Sequence, residues 1–191
     1  MTELATNLNA PFWMTAGQLL QGKLMVERGE FAAGLAVLRE AFETCNRTGW
    51  RLSYPEFSGS LALALAGLGR LDEAYDAVNN AIAAAGGRGE DGQVWYVPEL
   101  LRIKGEVLLQ QGPGNETLAE DCFRAATELA RSQGALFWEL RAALSAARLR
   151  ARQKNRSGAA QVLQPVYDRF TEGFDTADLQ AAKAVLDSLR R

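Results

Sequence analysis

The feature that most constrains this chain is an interval of about 40 residues at which one pattern of small side chains returns. Gly22, Ala62, Gly105 and Ala147 each stand inside a segment of helical periodicity, and successive members are 40, 43 and 42 residues apart. Each is followed by a second helical segment carrying a small–large–small stripe at i, i+4, i+7. The stripes are Gly34–Leu38–Ala41, Ala74–Val78–Ala81, Ala119–Phe123–Ala126 and Ala159–Leu163–Val166. A helix pair of this kind cannot bury its apolar faces alone, and stacking on the next pair supplies the cover. Small residues where two helices face each other let the backbones approach. A larger side chain there would cost about 1–3 kcal/mol through overpacking. That outweighs the roughly 1 kcal/mol that a mid-helix glycine loses in propensity.

The breaks between periodic segments are rich in Gly, Asn, Asp and Ser, which end and begin helices. They predict nine helices near 10–28, 31–47, 54–68, 71–85, 95–111, 116–133, 136–153, 157–170 and 176–190. The expected fold is all-α: a right-handed α-solenoid of about four helical hairpins, tetratricopeptide-like with a period near 40, plus a C-terminal capping helix. The repeats fall near 10–47, 54–85, 95–133 and 136–170, with the cap at 176–190, all in one domain over 1–191. In the cap, Leu179, Ala182, Leu186 and Leu189 form the apolar stripe, while Gln180, Lys183, Asp187 and Arg190 take other faces. Asp175 or Thr176 is expected to accept N–H bonds at its start, and Asp178 to favour the positive end of its dipole.

Composition narrows the function classes. Hydrophobic residues make up 48% and charged residues 23%, as in globular chains. Twenty-one Lys and Arg against 23 Asp and Glu leave a net charge of −2, so no global charge draws the chain to nucleic acid or an anionic membrane. The N-terminus lacks a basic region followed by an apolar core, and two distant cysteines, Cys45 and Cys122, fit reduced thiols; a cytoplasmic location is expected. The chain contains no histidine, which removes His-dependent triads and His-ligated metals. Two separated cysteines do not build a zinc site. No enzyme activity, cofactor or metal is expected.

Three local stretches invite stronger readings. GQLLQGKL at 17–24 approximates a phosphate-binding loop, but Leu24 stands where Mg²⁺ needs a hydroxyl. Leu19, Leu20, Leu24 and Met25 also recur at helical spacing, so Gly22 is read as a packing glycine. RLRARQKNR at 148–156 spreads its charges around a helix C-terminus, where cations suit the dipole, and nucleic acid is not an expected partner. The glycine-rich 86–92 reads as a connector. Trp13, Trp50, Trp95 and Trp138 stand near helix starts, where packing between layers is the usual role.

Longer stretches carry a family resemblance. They are FWMTAGQLLQGKLMVERGEFAAGL (12–35), WYVPELLRIKGE (95–106), AEDCFRAATELARSQGA (119–135), WELRAALSAARL (138–149) and PVYDRFTEGFDTADL (165–179). Together they resemble the C-terminal tetratricopeptide-like region of large bacterial signalling ATPases, which carry cyclase or winged-helix DNA-binding domains elsewhere. GRLDEA at 69–74 also resembles the tetratricopeptide signature, although the period exceeds the usual 34 and Leu or Met replaces most aromatics. The resemblance implies a helical module for sensing or protein contact and transfers no catalysis.

In tetratricopeptide arrays the first helix of each pair lines a groove. Carrying that register across gives Lys23, Glu27, Glu56, Glu99, Arg102, Glu106, Gln110, Arg141, Arg148 and Arg152 as candidate binding residues. Their charge turns from mixed or acidic to basic along the chain, which offers Arg102, Arg141 and Arg148 to an acidic or C-terminal carboxylate ligand; the alternative, favoured at any single residue, is a solvated face laced with Glu–Arg pairs worth under about 1 kcal/mol each. The leading expectation is a non-catalytic module that binds a protein or peptide in a bacterial signalling or transcription-control system. The alternatives are a small-molecule-sensing regulatory domain and self-association as a homodimer. No membrane is expected as a partner.

Overall fold

A computed structural model describes residues 11–49, 54–85 and 94–190. The described residues form nine α-helices, joined by turns and one 3₁₀ segment, with no strand among them. They are α1 (Pro11–Glu27), α2 (Phe31–Thr48), α3 (Tyr54–Gly67), α4 (Leu71–Ala85), α5 (Val97–Gln110), α6 (Glu116–Ser132), α7 (Leu136–Arg152), α8 (Arg156–Tyr167) and α9 (Ala177–Leu189). The predicted spans are met within three residues at every described end. Trp50 and the 86–92 connector lie outside the described residues.

The chain divides into two compact units, residues 1–93 and 94–191. In the first, α1 packs on α2 and α3 on α4, and α3 also packs on both α1 and α2. In the second, α5 packs on α6, α6 on α7, α7 on α8 and α8 on α9. There α5 also touches α7, and α7 touches α9, so the first helices of successive pairs lie side by side.

The small-residue register is buried throughout. Gly22, Ala62, Gly105 and Ala147 are all buried, as are all twelve stripe residues of the second helices. A Cβ built on Gly22 would stand 2.7 Å from Leu38 Cγ and 3.3 Å from the Gly34 carbonyl oxygen. On Gly105 it would overlap the Phe123 ring, with Cδ1 at 2.9 Å. Leu38 and Phe123 fill the space that the two glycines leave, while Ala147 and Leu163 share one buried cluster. Close-packed interiors require such matching.

A common turn joins many of the helices. Gly29, Gly69 and Gly134 adopt φ of 81°, 73° and 67°, the left-handed conformation that closes a helix C-terminus. The following amide bonds back to the carbonyl five residues earlier in each: Glu30 to Met25, Arg70 to Leu65 and Ala135 to Ala130. Lys154 takes the same conformation at φ 62° between α7 and α8, with Asn155 N–H bonded to Arg150 O. The α5–α6 turn spends two positive-φ glycines, Gly112 and Gly114. That lengthened turn accounts for the two extra residues of the 42-residue step from Gly105 to Ala147.

One local expectation is met and another is corrected. Residues 17–24 lie within the unbroken helix α1, so the lysine of GQLLQGKL follows a helical turn rather than a phosphate-cradling loop. The α9 start has no side-chain cap: Thr176 Oγ1 instead donates to the Gly173 carbonyl at 2.7 Å.

Candidate functional site

Glu99 lies in the first turn of α5, right after Pro98, where an acidic residue suits the dipole. Its side chain is 3% exposed. A carboxylate buried this deeply needs cations and hydrogen bonds to offset its lost hydration. One turn along α5, Arg102 donates from Nε at 2.9 Å and Nη2 at 2.7 Å. From α7, Arg141 donates from Nε at 3.2 Å and Nη2 at 2.9 Å. Two guanidinium forks therefore close on one carboxylate. Two-pronged Arg–carboxylate pairing fixes orientation as well as charge.

The network extends along α5, α7 and α9. Arg141 Nη1 reaches Asp178 of α9 at 3.1 and 3.3 Å. Arg102 Nη1 reaches Glu106 at 3.4 Å, and the same Glu106 oxygen accepts from Ser145 Oγ at 2.6 Å. The Arg141 guanidinium also lies 5.9 Å from the Phe137 ring centre and 6.0 Å from that of Trp138, within cation–π range. Burial alone would push the Glu99 carboxyl upward, but Arg102 and then Arg141 overcome it and hold the group below its ordinary value. The same contacts push Arg102 and Arg141 upward against their own burial. All three side chains are therefore charged at neutral pH.

Beside the network lies a dent of about 70 Å³ lined by Arg102, Arg141, Leu144, Ser145, Arg148 and Asp178. Arg148 is exposed at its edge. Gln110 and Arg152 are exposed near the C-termini of α5 and α7 and stand outside the network.

In residues 1–93 the corresponding side chains make a smaller cluster. Lys23 Nζ of α1 contacts Glu56 of α3 at 2.5 Å and Glu27 at 3.9 Å. Side-chain exposures of 27%, 19% and 57% leave all three in reach of water. Seven of the ten candidate residues thus fall into two clusters, one in each unit. Ser145 and the cross-helix role of Asp178 escape the sequence reading. A signal for the first arrangement was present: Glu56, Glu99 and Arg141 each stand six residues before their small residue.

A second buried carboxylate was also missed. Glu139, 1% exposed in the first turn of α7, accepts from Arg131 Nε at 3.0 Å and Arg169 Nη1 at 2.6 Å. Trp13 and Trp95 are 54% and 46% exposed, contrary to the expected interlayer role, while Trp138 is half-buried against Tyr96 at 5.3 Å between ring centres.

Three larger clefts lie elsewhere, one of them, of about 310 Å³, along Gly17, Leu20 and Leu24 of α1. One of about 480 Å³ in residues 1–93 is lined by Phe42, Tyr54, Leu61 and Ala81, with Arg39 and Glu43 among its polar residues. One of about 280 Å³ between α6, α7 and α8 includes Arg124, Thr127, Arg150 and Pro165. Among the described residues no cluster of three His, Cys, Asp or Glu side chains is placed to hold a metal, and no helix is long and apolar enough to cross a membrane. Comparison with protein-family models finds no match, and comparison with curated proteins finds none.

Proposed function

We propose that this chain is a non-catalytic helical-repeat module that binds a protein or peptide on the face shared by α5, α7 and α9. The observation that carries the reading is the Arg102–Arg141–Arg148 dent. Glu99 and Asp178 already neutralise much of Arg102 and Arg141, so exposed Arg148 supplies the charge available to a ligand. A volume of about 70 Å³ suits a single carboxylate rather than a whole metabolite. The ligand class is therefore an acidic peptide or a chain terminus, with the rest of the peptide lying across the helices. The resemblance of the sequence to the repeat region of bacterial signalling ATPases adds a cytoplasmic signalling or transcription-control setting, and a right-handed solenoid architecture, to this proposal.

Fluorescence polarisation with labelled peptides tests it. Peptides with a free C-terminal carboxylate or an acidic cluster bind, and their amidated or neutral counterparts bind at least about tenfold more weakly, as expected for loss of a charge-assisted contact. Arg148→Glu abolishes binding without moving the melting temperature, since the side chain is exposed. Equal binding by neutral peptides, or by Arg148→Glu, contradicts the reading.

One observation favours a second reading, small-molecule sensing. The 480 Å³ cleft of residues 1–93 falls in the size range of ligand sites and combines aromatic with polar lining residues. A metabolite that raises the melting temperature, and fails to do so in Phe42→Ala, would establish it.

A further inference from the structure

The small-residue stripes of α2 and α6 lie 85 residues apart, as do those of α4 and α8, and as do Ala62 and Ala147. The clefts of about 480 and 280 Å³ keep the same interval. Arg39, Phe42, Glu43 and Asn46 of α2 line the first, and Arg124, Thr127, Glu128 and Arg131 of α6, each 85 residues later, line the second. From α4, Ala77, Asn80 and Ala81 answer in the same way to Val162, Pro165 and Val166 of α8. One cleft therefore occurs twice, once in each unit.

The two versions differ most at one end, where α2 and α4 finish and α3 begins. The first cleft is lined there by Asn46, Tyr54 and Ala84. The places 85 residues later hold Arg131, Glu139 and Arg169, and both arginines bond to the buried Glu139, at 3.0 and 2.6 Å. Charges that satisfy one another in this way leave no free group for a ligand. Of those three, Arg131 alone still lines the second cleft, which is the smaller. The first cleft keeps its groups unspent. Asn46 and Asn80 have no hydrogen-bond partner among the described residues. Phe42 and Tyr54 meet edge to face at 4.9 Å between ring centres. All four are lost in the second cleft, where threonine, glutamate, arginine and proline replace them.

We infer that the first cleft binds an uncharged heteroaromatic ring with donors and acceptors on its edge, the chemistry of a nucleobase, and that the second does not. The inference rests on the small-molecule reading of that cleft and names its ligand class. Two carboxamides, one from α2 and one from α4, each offer a donor and an acceptor in one plane. Asparagine reads the edge of adenine with that pair. Phe42 and Tyr54 supply aromatic surface, on which any base stacks. The charged lining does not select an ion, because Arg39 and Glu43 cancel and stand one helical turn apart. Their counterparts Arg124 and Glu128 bond to each other at 3.5 Å, so this pair is common to both clefts and distinguishes neither.

Isothermal titration calorimetry on the full chain tests this with adenosine and guanosine as probes. Ribose and phenylalanine serve as controls that lack, in turn, the ring and its polar edge. At least one nucleoside is expected to saturate a single site per chain below about 1 mM, with both controls at least about tenfold weaker. Asn46→Ala and Asn80→Ala, both at exposed positions, each weaken binding about tenfold and leave the circular dichroism of the parent. Asn46→Arg, Tyr54→Glu and Ala84→Arg together transplant the ion triad and abolish binding. Absence of saturable heat with both nucleosides overturns the inference. So do controls that bind as tightly, two sites per chain, or affinities unchanged in both asparagine variants. If a different metabolite then raises the melting temperature, and fails to do so in Phe42→Ala, the nucleobase inference falls while the sensing reading stands. If no metabolite does, both fall.

Discussion

Glu56 in α3 and Glu99 in α5 occupy the same place in the repeat, six residues before the small residue, yet they live in different physical regimes. Glu56 is 19% exposed and meets one lysine closely; Glu99 is 3% exposed and is gripped by two arginines. The position sets which way the carboxylate points, and burial sets what it must be given. Partly hydrated, a carboxylate tolerates a single flexible ammonium. Stripped of water, it requires planar donors that satisfy both oxygens at once. Shared register therefore does not mean shared energetics.

The sharpest break of this comparison is truncation. Glu99→Ala leaves Arg102 and Arg141 without their main partner and is expected to cost about 3–5 kcal/mol, read as a lowered urea midpoint. Acid provides a gentler version of the same test. Because the folded Glu99 carboxyl titrates below its usual 4.5, the unfolded chain takes up that proton first as pH falls. Its stabilisation is fully present above pH 4.5 and is lost as pH drops through the lower folded value. Glu99→Gln should flatten that part of the acid unfolding curve; an unchanged curve would place the titration elsewhere.

Next in size is Gly105→Ala. The added methyl meets the fully buried Phe123 ring, and overpacking of about 1–3 kcal/mol is expected in thermal or urea unfolding. Ala147→Gly, in the buried cluster that also holds Leu163, tests the same register from the other direction and loses about 1 kcal/mol through helix propensity. Lys154→Gly should gain about 0.5–1 kcal/mol, since this lysine holds the left-handed turn that glycine holds at residues 29, 69 and 134. Glu56→Ala is the smallest effect, under about 1 kcal/mol, because its ion pair remains partly solvated. A Glu56→Ala loss as large as that of Glu99→Ala would erase the contrast.

Much of the helical plan was legible because it is local. Apolar spacing, turn glycines and small residues at 22, 62, 105 and 147 all act within one hairpin, and a single sequence records them. The candidate site was legible only where register carried it. Glu99 and Arg141 are 42 residues apart and were both named from their place in the repeat, but that they bond each other depends on α5 lying beside α7. Asp178 reads as a helix-dipole partner from its own helix, and only packing of α9 on α7 brings it to Arg141. Glu139 looks like an ordinary surface acid in sequence. Its burial is compensated by Arg131 and Arg169, on either side of α7 in the chain, which converge on it. The exposed Trp13 shows the converse: an aromatic at helical spacing signals an interface without saying which molecule completes it.

The side-by-side arrangement of α5 and α7 underlies both the charge network and the proposed peptide face, and a double-mutant cycle on Glu99 and Arg141 tests it most directly. Unfolding free energies of the parent, Glu99→Ala, Arg141→Ala and the double variant should yield a coupling above about 1.5 kcal/mol, as for contacting members of one buried network. Additivity within about 0.5 kcal/mol would mean that the two side chains do not meet, and would contradict the account.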